Sequence, residues 1–279
     1  MSRTEWSIVV LLALGWIPGI LAMSEVWGSL EYASHGFLVP FVALWAATAH
    51  RETLAQLEPR PLRGGLLLIG ALAPLYVVSI IFGNTTLIGV VAVVTVVVVV
   101  LALRGVAWVK VLRFPLGYLV FMIPLPIGWV TPVIVKLQIL VSTVAVRLLQ
   151  EGGISIFREG NVLSLPGDVS LFVAEACSGI TSLITLIPLG VFIAYFTDSV
   201  TWRRVAIVVA VIPIGLAGNL LRVILTVMLS IEVSVDFATK GPLHEWAGVL
   251  TYVIGCLALL AVGNLLRRVS GDADQLRPA

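Results

Sequence analysis

The stretch "LIGVVAVVTVVVVVLAL", residues 87–103, has one hydroxyl and no charged group in seventeen positions. A helix needs about 20 apolar residues to cross a hydrocarbon core about 30 Å thick, whereas a membrane barrel strand alternates apolar and polar positions. Continuous runs of this kind therefore point to helices in lipid. Comparable runs occupy about 6–24, 36–50, 64–82, 179–197, 205–230 and 247–266. "FPLGYLVFMIPLPIGWV" (114–130) adds another, kinked or ended by Pro124 and Pro126 because proline cannot donate to the helix ladder. The expectation is an all-α polytopic membrane protein with about eight transmembrane helices. Composition agrees: 59% of residues are hydrophobic and 11% charged, against about 25% charged in soluble domains. Mean hydropathy is +1.11.

The N-terminus could be taken for a signal peptide. Its apolar stretch is long and no clear small-residue cleavage site follows, so it reads as a first span. "TPVIVKLQILVSTVAVRLLQ" (131–150) is ambiguous, because Lys136 and Arg147 interrupt an amphipathic pattern. That favours a helix lying on the interface or packed against the bundle. Between them, 151–176 forms the largest polar connection, in which "NVLSL" and "VSLFV" flank the turn signal "PGD". A small extracytoplasmic hairpin is expected there. The whole of 1–268 reads as one transmembrane domain, followed by a short polar tail at 269–279.

Orientation follows from where the basic residues collect. With the N-terminus inside, cytoplasmic segments carry Arg3, Arg51, Arg60, Arg63, Arg104, Lys110, Arg113, Arg203, Arg204, Arg267, Arg268 and Arg277, 12 of the 17. The opposite face receives Lys136, Arg147, Arg158 and Lys240. Both termini are then cytoplasmic. The net charge of +2 gives no reason to expect nucleic acid, and two cysteines are too few for a disulfide framework.

Arg222 is the remaining cation, within "IPIGLAGNLLRVILTVML". A charge near the centre of a span costs about 2.5–3.5 kcal/mol on insertion scales and usually marks function or pairing. Seventeen residues beyond Val205, at 1.5 Å each, put Arg222 roughly 26 Å along the core, in the outer leaflet. Asn219, three positions earlier, shares its face. The alternative is an arginine snorkelling to the interface, against which stand Asn219 and the several residues left before the span ends.

His244, in "KGPLHEWAGVL", is introduced by Gly241 and Pro242 at the outer start of the last span. A helix N-terminus disfavours the imidazolium and leaves a neutral ring able to accept a proton. Cys177, in "VAEACSGITSLI", starts a span whose positive dipole end faces the thiol and favours the thiolate. Cys256, the only other cysteine, falls near mid-bilayer and reads as structural. Three residues from three spans thus reach one external depth, and a thiol, a base and a cationic donor form an acyl-transfer set. Glu175 could pair with Arg222, cap the helix or orient His244; Ser178 follows the thiol directly. His35 also lies at the outer face, more simply as an interfacial polar anchor. No compact metal-ligand spacing exists, and neither a metal nor a cofactor is expected.

"VAEACSGITSLI", then "GNLLRVI", then "HEWAG" resemble the ordered signature of exosortases, the bacterial membrane counterparts of archaeosortases. The resemblance extends through "YASHGFLVPFVALW", "FPLGYLVFMIPLP" and "GNVLSLPG"; Thr181 stands where many relatives carry a basic residue. It implies a cysteine transpeptidase or protease of the bacterial inner membrane. Its partners would be exported proteins ending in a short motif of PEP-CTERM type, a transmembrane helix and a basic end, often in pathways linked to extracellular polysaccharide. The family's nucleophile, arginine and histidine carry over to Cys177, Arg222 and His244. Two other readings are a transporter using Arg222 as an anion site, and a non-catalytic polysaccharide-export subunit. Many carriers show broken helices in two matching halves, and this chain does not.

Overall fold

A computed structural model describes residues 3–160, 162–166, 169–173, 180–240 and 242–270, with the backbone alone at 4, 169, 180–182, 240 and 242–245. The tail beyond 270, and with it most of the predicted polar segment, lies outside the described residues. The chain divides into two compact units, Met1–Pro126 and Ile127–Ala279.

The first unit runs α1 (Arg3–Gly15), α2 (Ile17–Ser29), a 3-10 turn (Glu31–Phe37), α3 (Val39–Thr48), α4 (Arg51–Gln56), α5 (Gly65–Ile81), α6 (Thr85–Arg104), α7 (Val106–Val111) and α8 (Arg113–Tyr118). The run 87–103 is the core of α6, capped by the Asn84 side chain, which accepts from the Leu87 N–H at 2.9 Å. The segment expected as one span at 6–24 is instead a pair of helices bent by 48°. Pro18 explains the bend, since its ring excludes a hydrogen bond to the carbonyl four residues earlier. The gap is filled by a side chain. The Tyr76 hydroxyl donates to the Gly15 carbonyl at 3.0 Å and accepts from the Gly19 N–H at 3.1 Å, so one oxygen is inserted into the ladder between them.

A second break lies at 119–126. A short 3-10 turn (Leu119–Met122) follows α8, and the next helix begins only at Ile127. Thus 114–130 is not one continuous helix: Pro124 and Pro126 end it. The carbonyls released here are taken by the Trp27 indole N–H (to Met122, 3.0 Å), the Tyr32 hydroxyl (to Leu125, 3.0 Å) and the Thr86 hydroxyl (to Pro124).

The second unit contains α9 (Ile127–Glu151), three strands, and α10 (Ile180–Thr197), α11 (Thr201–Glu232), α12 (Val235–Lys240) and α13 (Pro242–Val269). The ambiguous 131–150 segment is the body of α9. Its buried residues Val141, Ala145, Val146 and Leu149 share a cluster with Val223 and Val227 of α11, while Lys136 and Arg147 are exposed on the other side. It is therefore packed against the bundle. Among the described residues, four helices are long and apolar enough to cross a membrane: Thr85–Arg104, Ile127–Glu151, Thr201–Glu232 and Trp246–Val269. The bent N-terminal pair makes a fifth, and Gly65–Ile81 and Leu183–Thr197 are shorter apolar helices. Length and composition thus support four or five crossings among the described residues, against about eight expected from the sequence. The segment expected as a span at 36–50 supplies only the ten residues of α3.

The hairpin is present, with one strand more than expected. β1 (Phe157–Glu159), β2 (Val162–Leu165) and β3 (Val169–Phe172) form an antiparallel sheet in that order, with Leu163 opposite Leu171. Side chains alternate between faces along a strand; here Leu163, Leu165, Leu171 and Val173 are buried, whereas Ser164, Ser170 and Phe172 are exposed. The buried face joins the cluster on α9 and α11, so the sheet is seated on the bundle.

Removing the Tyr76 hydroxyl leaves a carbonyl and an amide without partners at the α1–α2 bend. A buried group left in this way costs about 1–3 kcal/mol. Tyr76→Phe should lower stability by that amount in a detergent unfolding titration, with the ring contact to Trp16 retained.

Candidate functional site

The second unit is organised around α11. Glycines bring its neighbours close: a Cβ on Gly215 would meet the Leu183 side chain of α10 at 2.3 Å, and one on Gly218 would meet Thr251 of α13 at 2.9 Å. Gly263 faces Ile207 at the other end. α10 and α13 therefore run side by side, both antiparallel to α11. Their N-terminal ends lie at the level of the C-terminal third of α11, where Arg222 is found.

Arg222 is buried, with 7% of its surface accessible. Its guanidinium packs on α13 at Gly248, where an added Cβ would sit 3.7 Å from both terminal nitrogens. This is no snorkelling side chain lying along a lipid-facing surface. His244, the third residue of α13, precedes Gly248 by one helical turn and shares its face. The register set by the Gly218–Thr251 and Arg222–Gly248 contacts, continued one turn, brings the His244 backbone level with Thr226. The His244 side chain is outside the described residues, as are Cys177, Glu175 and Ser178. Chain connection places the thiol three positions before the first described residue of α10, Ile180.

The buried face of α11 carries a polar stripe in apolar surroundings: Asn219, Arg222, Thr226 and Ser230, each 7% exposed or less. Beside it a cavity of about 460 Å³ separates α11 from α12 and α13, lined by Leu221, Arg222, Leu225, Thr226, Trp246 and Leu250 among others. Arg222 is the charged group in a predominantly apolar wall, a setting in which its attraction for a carbonyl or carboxylate oxygen is stronger than in water.

The other end of this bundle is basic as well but differently arranged. Arg203 Nε donates to Asp198 Oδ1 at 3.0 Å with both groups buried. Arg204 donates to the Asp198 and Tyr195 carbonyls, and Arg267 to that of Thr197. These arginines cap the C-terminus of α10, where cations offset the helix dipole.

Sequence reading did not single out Gly248 and Thr226. The signal for Gly248 was its spacing of four from His244 in "HEWAG", a helix face with no side chain next to a proposed functional group. His35 sits in the 3-10 turn of the first unit, where burial pushes its imidazole below the ordinary value and keeps the ring neutral.

An all-helical membrane protein with a guanidinium enclosed between two spans is the class defined by this architecture. The family model described as "Transmembrane exosortase (Exosortase_EpsH)" matches residues 27–261, most of the chain, and the protein belongs to the transmembrane exosortase family. No curated protein and no solved structure matches it.

At 3.7 Å a methyl group on Gly248 makes ordinary contact with the guanidinium, and alanine is the better helix former by about 0.8–1.0 kcal/mol. Gly248→Ala should leave thermal stability equal or raised. Gly248→Leu needs the volume that Arg222 occupies and should cost about 1–3 kcal/mol by overpacking, read from melting temperatures in one detergent.

Proposed function

We propose that this exosortase is a membrane-embedded cysteine protease or transpeptidase. It would remove the C-terminal sorting signal of exported proteins at the periplasmic face of a bacterial inner membrane, with both its termini cytoplasmic. The observation that carries this reading is the buried Arg222 guanidinium against α13. It lies at the end of the bundle where α10 begins, three residues after Cys177, and one turn from the level of His244. The distribution of basic residues, 12 against 4, supports this end lying outside.

In the reaction, His244 takes the Cys177 thiol proton, and the thiolate attacks the scissile carbonyl carbon. The sulfur–carbon bond forms as the carbonyl pair moves onto oxygen, and Arg222 donates to that developing anion. Collapse re-forms the carbonyl, breaks the carbon–nitrogen bond and leaves a thioester; His244 delivers the proton to the departing amine. Water or an acceptor amine then attacks the thioester and regenerates the thiol. A donor at the oxyanion is worth about 2.7–4 kcal/mol. The substrate's terminal helix, with its PEP-CTERM-like motif at the outer surface, would lie against the spans with the scissile bond beside Arg222. Glu175 and Ser178 support the thiol's segment in this scheme, and no cofactor or metal takes part.

The enclosed arginine would also suit anion transport, the second reading that this residue favours. One comparison separates the two. Cys177→Ala should yield folded protein at wild-type level together with full-length, uncleaved substrate by mass measurement of its C-terminus. Arg222→Gln should lower kcat by about 10²–10³-fold. Normal processing by Cys177→Ala removes the enzymatic reading, and solute flux independent of the thiol supports transport.

A further inference from the structure

Asn219 is 1% exposed, and neither its Nδ2 nor its Oδ1 has a hydrogen-bond partner among the described residues. Buried polar groups are almost always paired, and an orphaned pair of donor and acceptor requires a reason. The other hydroxyl-bearing residues of these spans do not share this condition: Ser230 donates to the Thr226 carbonyl, Thr251 to that of Ala247, and Thr197 to that of Ile193.

The direction of Asn219 is fixed by its neighbours on α11. Gly215, one turn earlier, faces Leu183 of α10. Val223, one turn later, packs in the cluster that holds Leu171 and Val173 of the sheet. Asn219 lies between these two directions, on the face of α11 turned towards α9 and α10. Arg222 lies on the other flank, towards α13. The two side chains thus bracket the start of α10 from one helix, a turn apart.

Resting on the reading above, we propose that Asn219 is a second substrate-contacting group of the reaction centre. Its Nδ2 donates to the carbonyl oxygen that becomes anionic as Cys177 attacks, and its Oδ1 accepts the N–H of the adjoining peptide unit. A carboxamide presents one donor and one acceptor side by side, so its two vacant valences fit the C=O and N–H of two adjoining peptide units. It complements Arg222: the guanidinium supplies charge, while the amide supplies a neutral donor of fixed direction. Asn219 itself gains and loses no proton. Its lack of partners keeps the donor available without a prior bond to break.

The test uses full-length protein in detergent with a reporter peptide bearing the sorting motif and helix. Asn219→Leu should melt at or above the wild-type temperature, since it removes an unpaired amide from an apolar setting. Its kcat should fall by about 10²–10³-fold, with KM changed by less than about threefold. Asn219→Asp keeps the shape but has no amide donor, and should show the same loss in kcat with folding intact. Wild-type kcat in either variant overturns the proposal. So does a fall in melting temperature that accounts for the lost activity, since the amide would then be a structural or water-binding group. Cys177→Ala serves as the separate control: if it cleaves the reporter, the cysteine mechanism fails whatever Asn219 does.

Discussion

Inside a bilayer no water is available to a backbone N–H or C=O, so each must find its partner within the protein. That requirement shapes every irregular place in this structure. Straight runs such as α6 satisfy it by themselves. At two proline breaks a side chain from elsewhere fills the vacancy: Tyr76 at the α1–α2 bend, and Trp27, Tyr32 and Thr86 at 119–126. The same rule gives Asn219 its significance, because there the vacancy is left unfilled.

Charge within the second unit obeys a parallel logic. The cations around the α10–α11 turn are committed to carbonyls and to Asp198, and they hold that end of the bundle. Arg222 is enclosed at the other end, beside an apolar cavity and a glycine. One end of the same three helices is thereby stapled while the other keeps a concentrated positive charge away from water. An unsatisfied polar group is expected where a fold serves function over stability, and here the Asn219 amide is one, a turn from Arg222 on α11.

Much of this was legible from residue order. Long apolar runs gave the helical class, "NVLSL-PGD-VSLFV" gave β2 and β3, and Arg222 stood out in its apolar run and is enclosed in the bundle. Other features depended on contacts that a linear reading does not contain. β1 is only three residues, "FRE", too short and too charged to stand out. Lys136 and Arg147 left α9 either on the interface or packed against the bundle; eleven residues is about three turns, so both occupy one exposed face while the opposite stripe packs on α11. Hydropathy measures apolarity and not continuity: Pro124 and Pro126 end the run at 114–130, and the run at 36–50 yields only the ten residues of α3. Cys177, Glu175 and Ser178 stand on the sequence and its family resemblance.

The side chains that mend the two breaks arrive at opposite times as the ribosome extends the polypeptide. Trp27, Tyr32 and Thr86 are all made before the carbonyls of Met122, Pro124 and Leu125, so acceptors emerging later meet donors already in place. At the α1–α2 bend the order is reversed, and Gly15 and Gly19 precede Tyr76 by about sixty residues. Until α5 has been synthesised and inserted, the first pair of helices therefore lacks the hydroxyl that joins them, and its final angle is acquired only after translation has passed Tyr76.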